Sequence, residues 1–172
     1  MTAETSRLTL RPKFNRAAVY VSSSAGRGET FWQNTAKRSQ GRGNPVPITY
    51  SVRPDKRQFH IAYSGSIALH DVFMFMREFE QDFREHSDFD EFVSAANVNE
   101  VQFASREVPA LFSLVEDVYR RRAQRKSIAF VAPVEPARQV VEAFTQYMNA
   151  RLPLVQVRCF TKDQDAHAFL DA

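Results

Sequence analysis

The strongest constraint on the fold is an alternation of strand and helix patterns that runs from Phe89 to the C-terminus. Three short apolar runs, DEFVSAA, SIAFVAP and LVQVRCF, are separated by segments whose apolar residues recur at helical spacing. Strands that alternate with helices in this way are typical of parallel sheets, because each helix must carry the chain back along the sheet. The pattern therefore predicts an α/β domain.

Two shorter alternating runs precede this pattern, ITYSV at 48–52 and QFHIAYS at 58–64. The segment between them contains Pro54 and Asp55, which favour a tight turn, so the two runs predict an antiparallel hairpin. We expect Gly65 to end the second strand. The hairpin is followed by a βαβαβα arrangement, so the whole prediction is a mixed sheet of about five strands.

Four segments have helical spacing of apolar residues. The first is predicted over about 69–85, with an apolar stripe formed by Leu69, Val72, Phe73, Met76, Phe79 and Phe83. The second begins at about Ser105, because Ser is a favoured residue at a helix N-cap. The third and fourth are predicted over about 136–150 and 163–170.

The chain divides into two parts by composition. Residues 1–45 hold four of the five glycines and eight Lys or Arg residues against two Glu residues, whereas residues 46–172 are slightly acidic. Low hydrophobicity with a net positive charge favours disorder, so we expect a basic disordered extension over 1–45 and one folded domain over 46–172. A basic arm that binds nucleic acid or an acidic surface, a transit-like peptide and a misassigned start are the alternatives for the extension.

Several classes of protein are disfavoured by composition. A mean hydropathy of −0.40 and the lack of a long apolar run predict no transmembrane segment. Cys159 is the single cysteine, which excludes an internal disulfide and fits a cytoplasmic location. The four histidines have no metal-ligand spacing, and no nucleophile or phosphate-loop motif is present. We therefore predict no metal site, no cofactor and no catalytic residues.

Two further features allow two interpretations each. Thirteen Phe residues lie in the folded domain and are most simply explained as core, although they are also compatible with an apolar pocket. Five cations at positions 120–126 favour a solvated helix C-terminus, with an acidic partner or a lipid headgroup as the alternative. Nucleic-acid binding by the domain is not expected.

Several short signatures resemble the stand-alone STAS-like family, whose members are called SpoIIAA-like and are related to anti-sigma-factor antagonists. The signatures are YSG at 63–65, I-x-L-x-D-V at 67–72, a Ser-capped second helix, V-A-P at 131–133 and F-T-K-D-x-D-A-x-x-F-L at 160–170. The resemblance covers about 47–171. It implies helices mainly on one face of the sheet and a non-enzymatic regulatory or protein-interaction domain.

The resemblance also implies a binding surface between the third strand and the second helix. Antagonist members bind an anti-sigma-factor-type kinase, which phosphorylates a Ser at the start of the second helix, and Ser105 matches that position. The segment 97–106, which ends in F-A-S-R, then forms the partner surface, with Asn97, Asn99 and Arg106 beside Ser105. A phosphate at Ser105 would lie at a helix N-terminus, which favours negative charge.

Related folds that carry lipids bind apolar ligands between helices and sheet, which supplies the alternative function. In that case a lipid or another apolar small molecule would occupy a pocket lined by Phe73, Met76, Phe112 and Val115. Self-association as a homodimer stays open under both functions.

Overall fold

The computed structural model describes residues 47–82, 86–122 and 124–172. The predicted extension over residues 1–45 lies outside these residues. The described part contains a five-stranded sheet in which the strands follow one another in chain order. The first pair is antiparallel and the other three pairs are parallel, which confirms the predicted mixed sheet. The strands are β1 (Ile48–Arg53), β2 (Gln58–Ala68), β3 (Asp90–Gln102), β4 (Lys126–Val131) and β5 (Val155–Phe160).

Four α-helices pack on this sheet: α1 (Leu69–Asp82), α2 (Val108–Arg122), α3 (Ala137–Arg151) and α4 (Asp163–Leu170). Parallel crossovers are right-handed, so three successive crossovers that advance in one direction place α1, α2 and α3 on the same face. The chain ends after α4, which packs on the opposite face against Phe92, Ala129 and Val131 through Ala166. The helices therefore lie mainly on one face, as predicted.

Strand β2 does not end at Gly65 but continues to Ala68. Gly65 has a φ of 72°, and the pairing with β3 shifts register on both sides of it. Glycine accepts this left-handed conformation without the steric cost that other residues incur, so it bends the strand instead of terminating it. The prediction that Gly65 ends the strand was wrong for this reason.

Strand β3 is likewise longer than predicted and runs to Gln102, which pairs with Ala68. Its pairing with β4 stops at Ser94, so the last residues of β2 and β3 pair only with each other. We call this parallel ribbon, residues 64–68 and 97–102, the β2–β3 extension. Asn97 and Asn99 therefore lie in a strand and not in the loop that the sequence predicted.

The buried face of α1 differs by one position from the predicted stripe. Val72, Phe75, Met76 and Phe79 are buried, whereas Phe73 is 37% exposed. Residues 72, 75, 76 and 79 follow the i, i+3, i+4, i+7 spacing of one helix face, and Phe73 lies about 100° away from Val72 on the same helix. The predicted stripe combined two faces, because Phe residues occur on both. Phe83 lies outside the described residues.

Candidate functional site

An apolar pocket lies between the sheet and helices α1, α2 and α3, and we call it the inner pocket. The space open to the centre of a water-sized sphere is about 110 Å³. The sheet contributes Ile61 and Val93, and the β2–β3 extension contributes Ile67, Val98 and Val101. Aromatic rings form much of the remaining wall: Tyr63, Phe75, Phe103, Phe112, Tyr119, Phe130 and Phe144.

Three of the four residues predicted for an apolar pocket line this space, namely Met76, Phe112 and Val115. Phe73 does not belong to the wall, because α1 turns it toward solvent. Phe75 takes the place that Phe73 was expected to occupy. Its ring lies 5.4 Å from that of Phe79 and 6.2 Å from that of Tyr63, within the usual range for aromatic pairs.

One charged side chain among the described residues lines the inner pocket, and it is Glu91. Glu91 is 1% exposed and its Oε1 lies 2.7 Å from the Nζ of Lys126, which is also buried. The Tyr119 hydroxyl donates a hydrogen bond to Oε2 of the same carboxylate. The Nζ atom also lies over the rings of Phe59 and Tyr119, at 5.8 and 5.6 Å from their centroids. These contacts hold the buried charges in place.

The Glu91–Lys126 ion pair was not predicted, although the position of Glu91 in the sequence indicates a buried carboxylate. Side chains alternate along a strand, so Glu91 must share a face with Val93 and Ala95, the apolar inner face of β3. A carboxylate on that face requires a buried partner. The identity of the partner had no comparable signal, because Lys126 is 35 residues away in the chain and closes a run of cations.

Tyr63 lies on the inner face of β2 and is the second polar group of the pocket wall. Burial raises the pKa of its hydroxyl, and the negative charge of Glu91 raises that pKa further. The hydroxyl is therefore protonated at all physiological pH values. Within the described part of the chain, no side chain or backbone group hydrogen-bonds to it.

The opposite face of the sheet carries an aromatic stack of His60, Phe92 and His167. The ring of Phe92 lies 5.1 Å from His60 and 4.4 Å from His167, the latter nearly parallel at 5°. Burial lowers the pKa of His60 to about 4, and the positive charges of Arg53, His167 and Lys56 lower it further, against Asp55. The stack joins α4 to the sheet. Because its pKa is lowered, His60 is neutral in the folded protein at pH 7.

Acid is expected to destabilise the protein through His60. Between pH 6.5 and about 4 the unfolded chain binds a proton at His60 that the folded chain does not, so stability falls as the pH falls through this window. Since His60 is partly exposed, screening by solvent limits the loss to on the order of 1–2 kcal/mol. Urea unfolding at pH 7 and pH 4.5 measures it. His60→Gln should reduce the difference between the two pH values, whereas His70→Gln, at an exposed position of α1, should not; equal behaviour of the two variants would contradict the assignment.

The cations at 120–126 are largely used inside the domain. Arg120 pairs with Glu116, the Nε of Arg121 lies 3.0 Å from Glu80, and Lys126 is the buried partner of Glu91. Glu116 also accepts a hydrogen bond from Tyr147 at 2.5 Å, and the bonds from Tyr147 and Arg120 lower the pKa of Glu116 to about 2. These contacts tie α2 to α1, α3 and the sheet, so a structural role explains most of the cluster.

Asn97, Asn99, Ser105 and Arg106 are all exposed, and we call them the β3–α2 surface. Ser105 begins a 3₁₀ turn, Ser105–Glu107, that precedes α2. The predicted N-cap role of Ser105 was wrong, because Ala104 occupies the cap position in an extended conformation. The Glu107 carboxylate accepts the Ala104 backbone N–H at 2.7 Å, so a different side chain and a different donor are used at the start of the turn. No hydrogen bond to the Ser105 hydroxyl occurs within residues 86–122.

Neither metal binding nor membrane crossing has a structural counterpart in the described ranges. No three His, Cys, Asp or Glu side chains of those ranges lie together in a way that would hold a metal ion. None of the helices placed there is both long and apolar enough to cross a membrane.

Two solved structures are similar to this chain. One is an uncharacterized protein of the DUF3478 family with a SpoIIAA-like fold from Shewanella loihica PV-4, at 12% identity and a TM-score of 0.49, covering 74% of this chain and 97% of that one. The other is the anti-sigma factor antagonist SpoIIAA in its unphosphorylated form, at 9% identity and a TM-score of 0.46, covering 73% and 98%.

No protein-family model matches the chain, and no curated protein sequence matches it.

Proposed function

We propose that this chain is a non-enzymatic STAS-like domain that binds a small apolar molecule in the inner pocket. The observation that carries the proposal is the pocket itself, an apolar space of about 110 Å³ between the sheet and three helices. Protein cores are packed as densely as organic crystals, and voids larger than a water molecule are few. A space of this size inside the apolar core between the sheet and the three helices favours an occupant.

The energetics support an occupant in two ways. The wall is almost wholly apolar, so an apolar occupant would remove wall surface from water, which is favourable by about 25 cal/mol per Å² covered. Its volume is comparable with the cavity of about 150 Å³ that stays dry and binds benzene in an engineered protein core. The inner pocket therefore suits a molecule of about that size, and a long acyl chain would have to project out of it.

The proposal is tested by titrating the protein with toluene, an apolar probe of the appropriate size. We expect saturable binding by calorimetry, with NMR shifts of the methyl groups of Met76 and Val115, which line the pocket. The methyl group of Met74, which is exposed on the same helix, is the internal control and should not shift. Shifts spread evenly over both methionines, or no saturable binding, would contradict the proposal.

A second function is favoured by the β3–α2 surface. Its four residues, Asn97, Asn99, Ser105 and Arg106, are each exposed, and the Ser105 hydroxyl is not used to cap the helix. A protein partner, of the anti-sigma-factor-type kinase class that the sequence resemblance implies, would bind there and phosphorylate Ser105. The positive end of α2 and the neighbouring Arg106 would stabilise the added phosphate.

Ser105→Asp tests the second function, because it adds negative charge at the start of the helix without changing the core. We expect it to weaken the binding of a kinase-type partner by about tenfold. This is the effect of losing one charge-assisted hydrogen bond at the interface. Partner capture by the wild-type protein, Ser105→Asp and the matched control Ser113→Asp, an exposed position in the middle of α2, measures the effect. Equal capture by all three would contradict the role of Ser105.

A further inference from the structure

We infer that the molecule held in the inner pocket is neutral and carries one hydroxyl group, which hydrogen-bonds to Tyr63. This inference rests on the proposed ligand-binding function and names the chemical class of the ligand. Three observations lead to it: the position of Tyr63 in the wall, the single carboxylate of Glu91, and the aromatic character of the remaining surface.

Tyr63 supplies the hydrogen bond. Its hydroxyl can both donate and accept, and in the described part of the chain nothing hydrogen-bonds to it. Tyr63 is only partly buried, so a ligand or a water molecule can reach its hydroxyl and hydrogen-bond to it. A ligand hydroxyl can either donate a hydrogen bond to the Tyr63 hydroxyl or accept one from it. A pure hydrocarbon can do neither.

Glu91 excludes anions from the pocket. It is the one charged side chain that the described residues place in the wall, and its charge is balanced by Lys126 behind it. A ligand carboxylate would lie in an apolar space beside a carboxylate and would lose its hydration without gaining a cation. A ligand cation is disfavoured as well, because Lys126 already neutralises Glu91 and a second buried positive charge would be unbalanced.

The wall favours a flat, compact ligand body. Rings of Phe75, Phe112 and Phe144 face the pocket from three different helices, and aromatic rings pack well edge-to-face against a further ring. Together with the volume of about 110 Å³, this favours a hydroxylated ring of roughly benzene size over a chain.

Three aromatic probes test the inference: toluene, p-cresol and p-toluate, titrated into the full chain at pH 7, with p-toluamide as the neutral isostere of p-toluate. We expect p-cresol to bind the wild-type protein at least as tightly as toluene, although water hydrates the phenol more strongly, and p-toluate not to bind. Tyr63→Phe should weaken p-cresol binding relative to toluene by about tenfold, the value of one buried hydrogen bond. The matched control is Tyr147→Phe, which removes a hydroxyl outside the pocket wall and should leave this ratio unchanged.

The outcomes separate the inference from the function on which it rests. A tenfold change in the ratio that is specific to Tyr63→Phe supports the inference. Toluene binding with a ratio that Tyr63→Phe does not change overturns the role of Tyr63 and leaves the ligand-binding function intact, and p-toluate binding as tight as that of p-cresol overturns the exclusion of anions. If none of the three probes binds, the proposed function fails and the inference fails with it. Melting temperatures of both variants verify that they are folded.

Discussion

Glu91→Ala is expected to lower the free energy of unfolding by about 3–5 kcal/mol, the cost of removing one partner from a buried ion pair. The substitution leaves the ammonium group of Lys126 in the core, where Lys126 is 3% exposed and loses the oxygen that lies 2.7 Å from its Nζ. The Tyr119 hydroxyl loses its acceptor at the same time. Urea unfolding at pH 7 measures the change.

The matched control is Glu142→Ala, which also removes a carboxylate from a Glu–cation pair. Glu142 lies 2.8 Å from the Nε of Arg138, but both side chains of that pair are close to half exposed. Exposed pairs at i, i+4 contribute a few tenths of a kcal/mol, so the control should lose less than about 0.5 kcal/mol. A loss for Glu91→Ala that is no larger than the loss for Glu142→Ala would show that the buried pair is not formed in solution.

Replacing both partners shows whether the loss of stability comes from the missing ion pair or from the charge that a single substitution leaves behind. Glu91→Met combined with Lys126→Met removes both charges and keeps most of the side-chain volume, so it should recover the greater part of the stability that Glu91→Ala loses. Recovery would also mean that the ion pair is not required for stability as such. Its retention beside the inner pocket is then consistent with a role in selecting the ligand.

The sequence could predict the sheet because the relevant signals are local. Alternating apolar residues mark each strand, helical spacing marks the segments between them, and the handedness of parallel crossovers then determines which face three of the helices cover. The length of β2 and β3 could not be predicted in this way. The β2–β3 extension is held by pairing between its two strands. Its own sequence, however, contains Gly65 and polar residues that locally favour a turn or a loop.

The site was predictable only in part, for two physical reasons. On α1, Phe73 and Phe75 are both compatible with a buried face, and only the packing against β2 decides between them. At the start of α2, Ser105 is a good capping residue by propensity, but the backbone places Ala104 at the cap and Glu107 as the acceptor. The first difference arises from tertiary packing, which propensities do not contain. The second arises locally, because Glu107 and Ala104 bond to each other three residues apart.

The two proposed functions share one segment of the chain. Phe103 lines the inner pocket and lies two residues before Ser105, which belongs to the β3–α2 surface. Variants that fill the pocket therefore serve both functions: they test ligand binding directly, and any change they cause in partner capture measures whether the pocket and the surface are coupled.

Val115→Phe is expected to weaken toluene binding by at least a hundredfold, because the added ring occupies the inner pocket from α2. The same substitution should stabilise the ligand-free protein by about 1 kcal/mol, because the added ring covers apolar wall that the open pocket leaves in contact with water. Calorimetry measures the first effect and urea unfolding the second. Overpacking would oppose the gain in stability if the ring does not fit in a relaxed rotamer, so Ala137→Leu, which fills the same space from α3, is the second variant.

The matched control is Val134→Phe, the same change at a position that is 51% exposed and does not line the pocket. It should not alter toluene binding, and it should change the free energy of unfolding by less than about 0.5 kcal/mol. Undiminished toluene binding by both Val115→Phe and Ala137→Leu would place the binding site elsewhere and contradict the proposed function. Loss of toluene binding together with a gain in stability is expected only if the ligand-free protein has an open pocket that toluene can fill. A collapsed, well-packed core would lose stability on receiving either side chain.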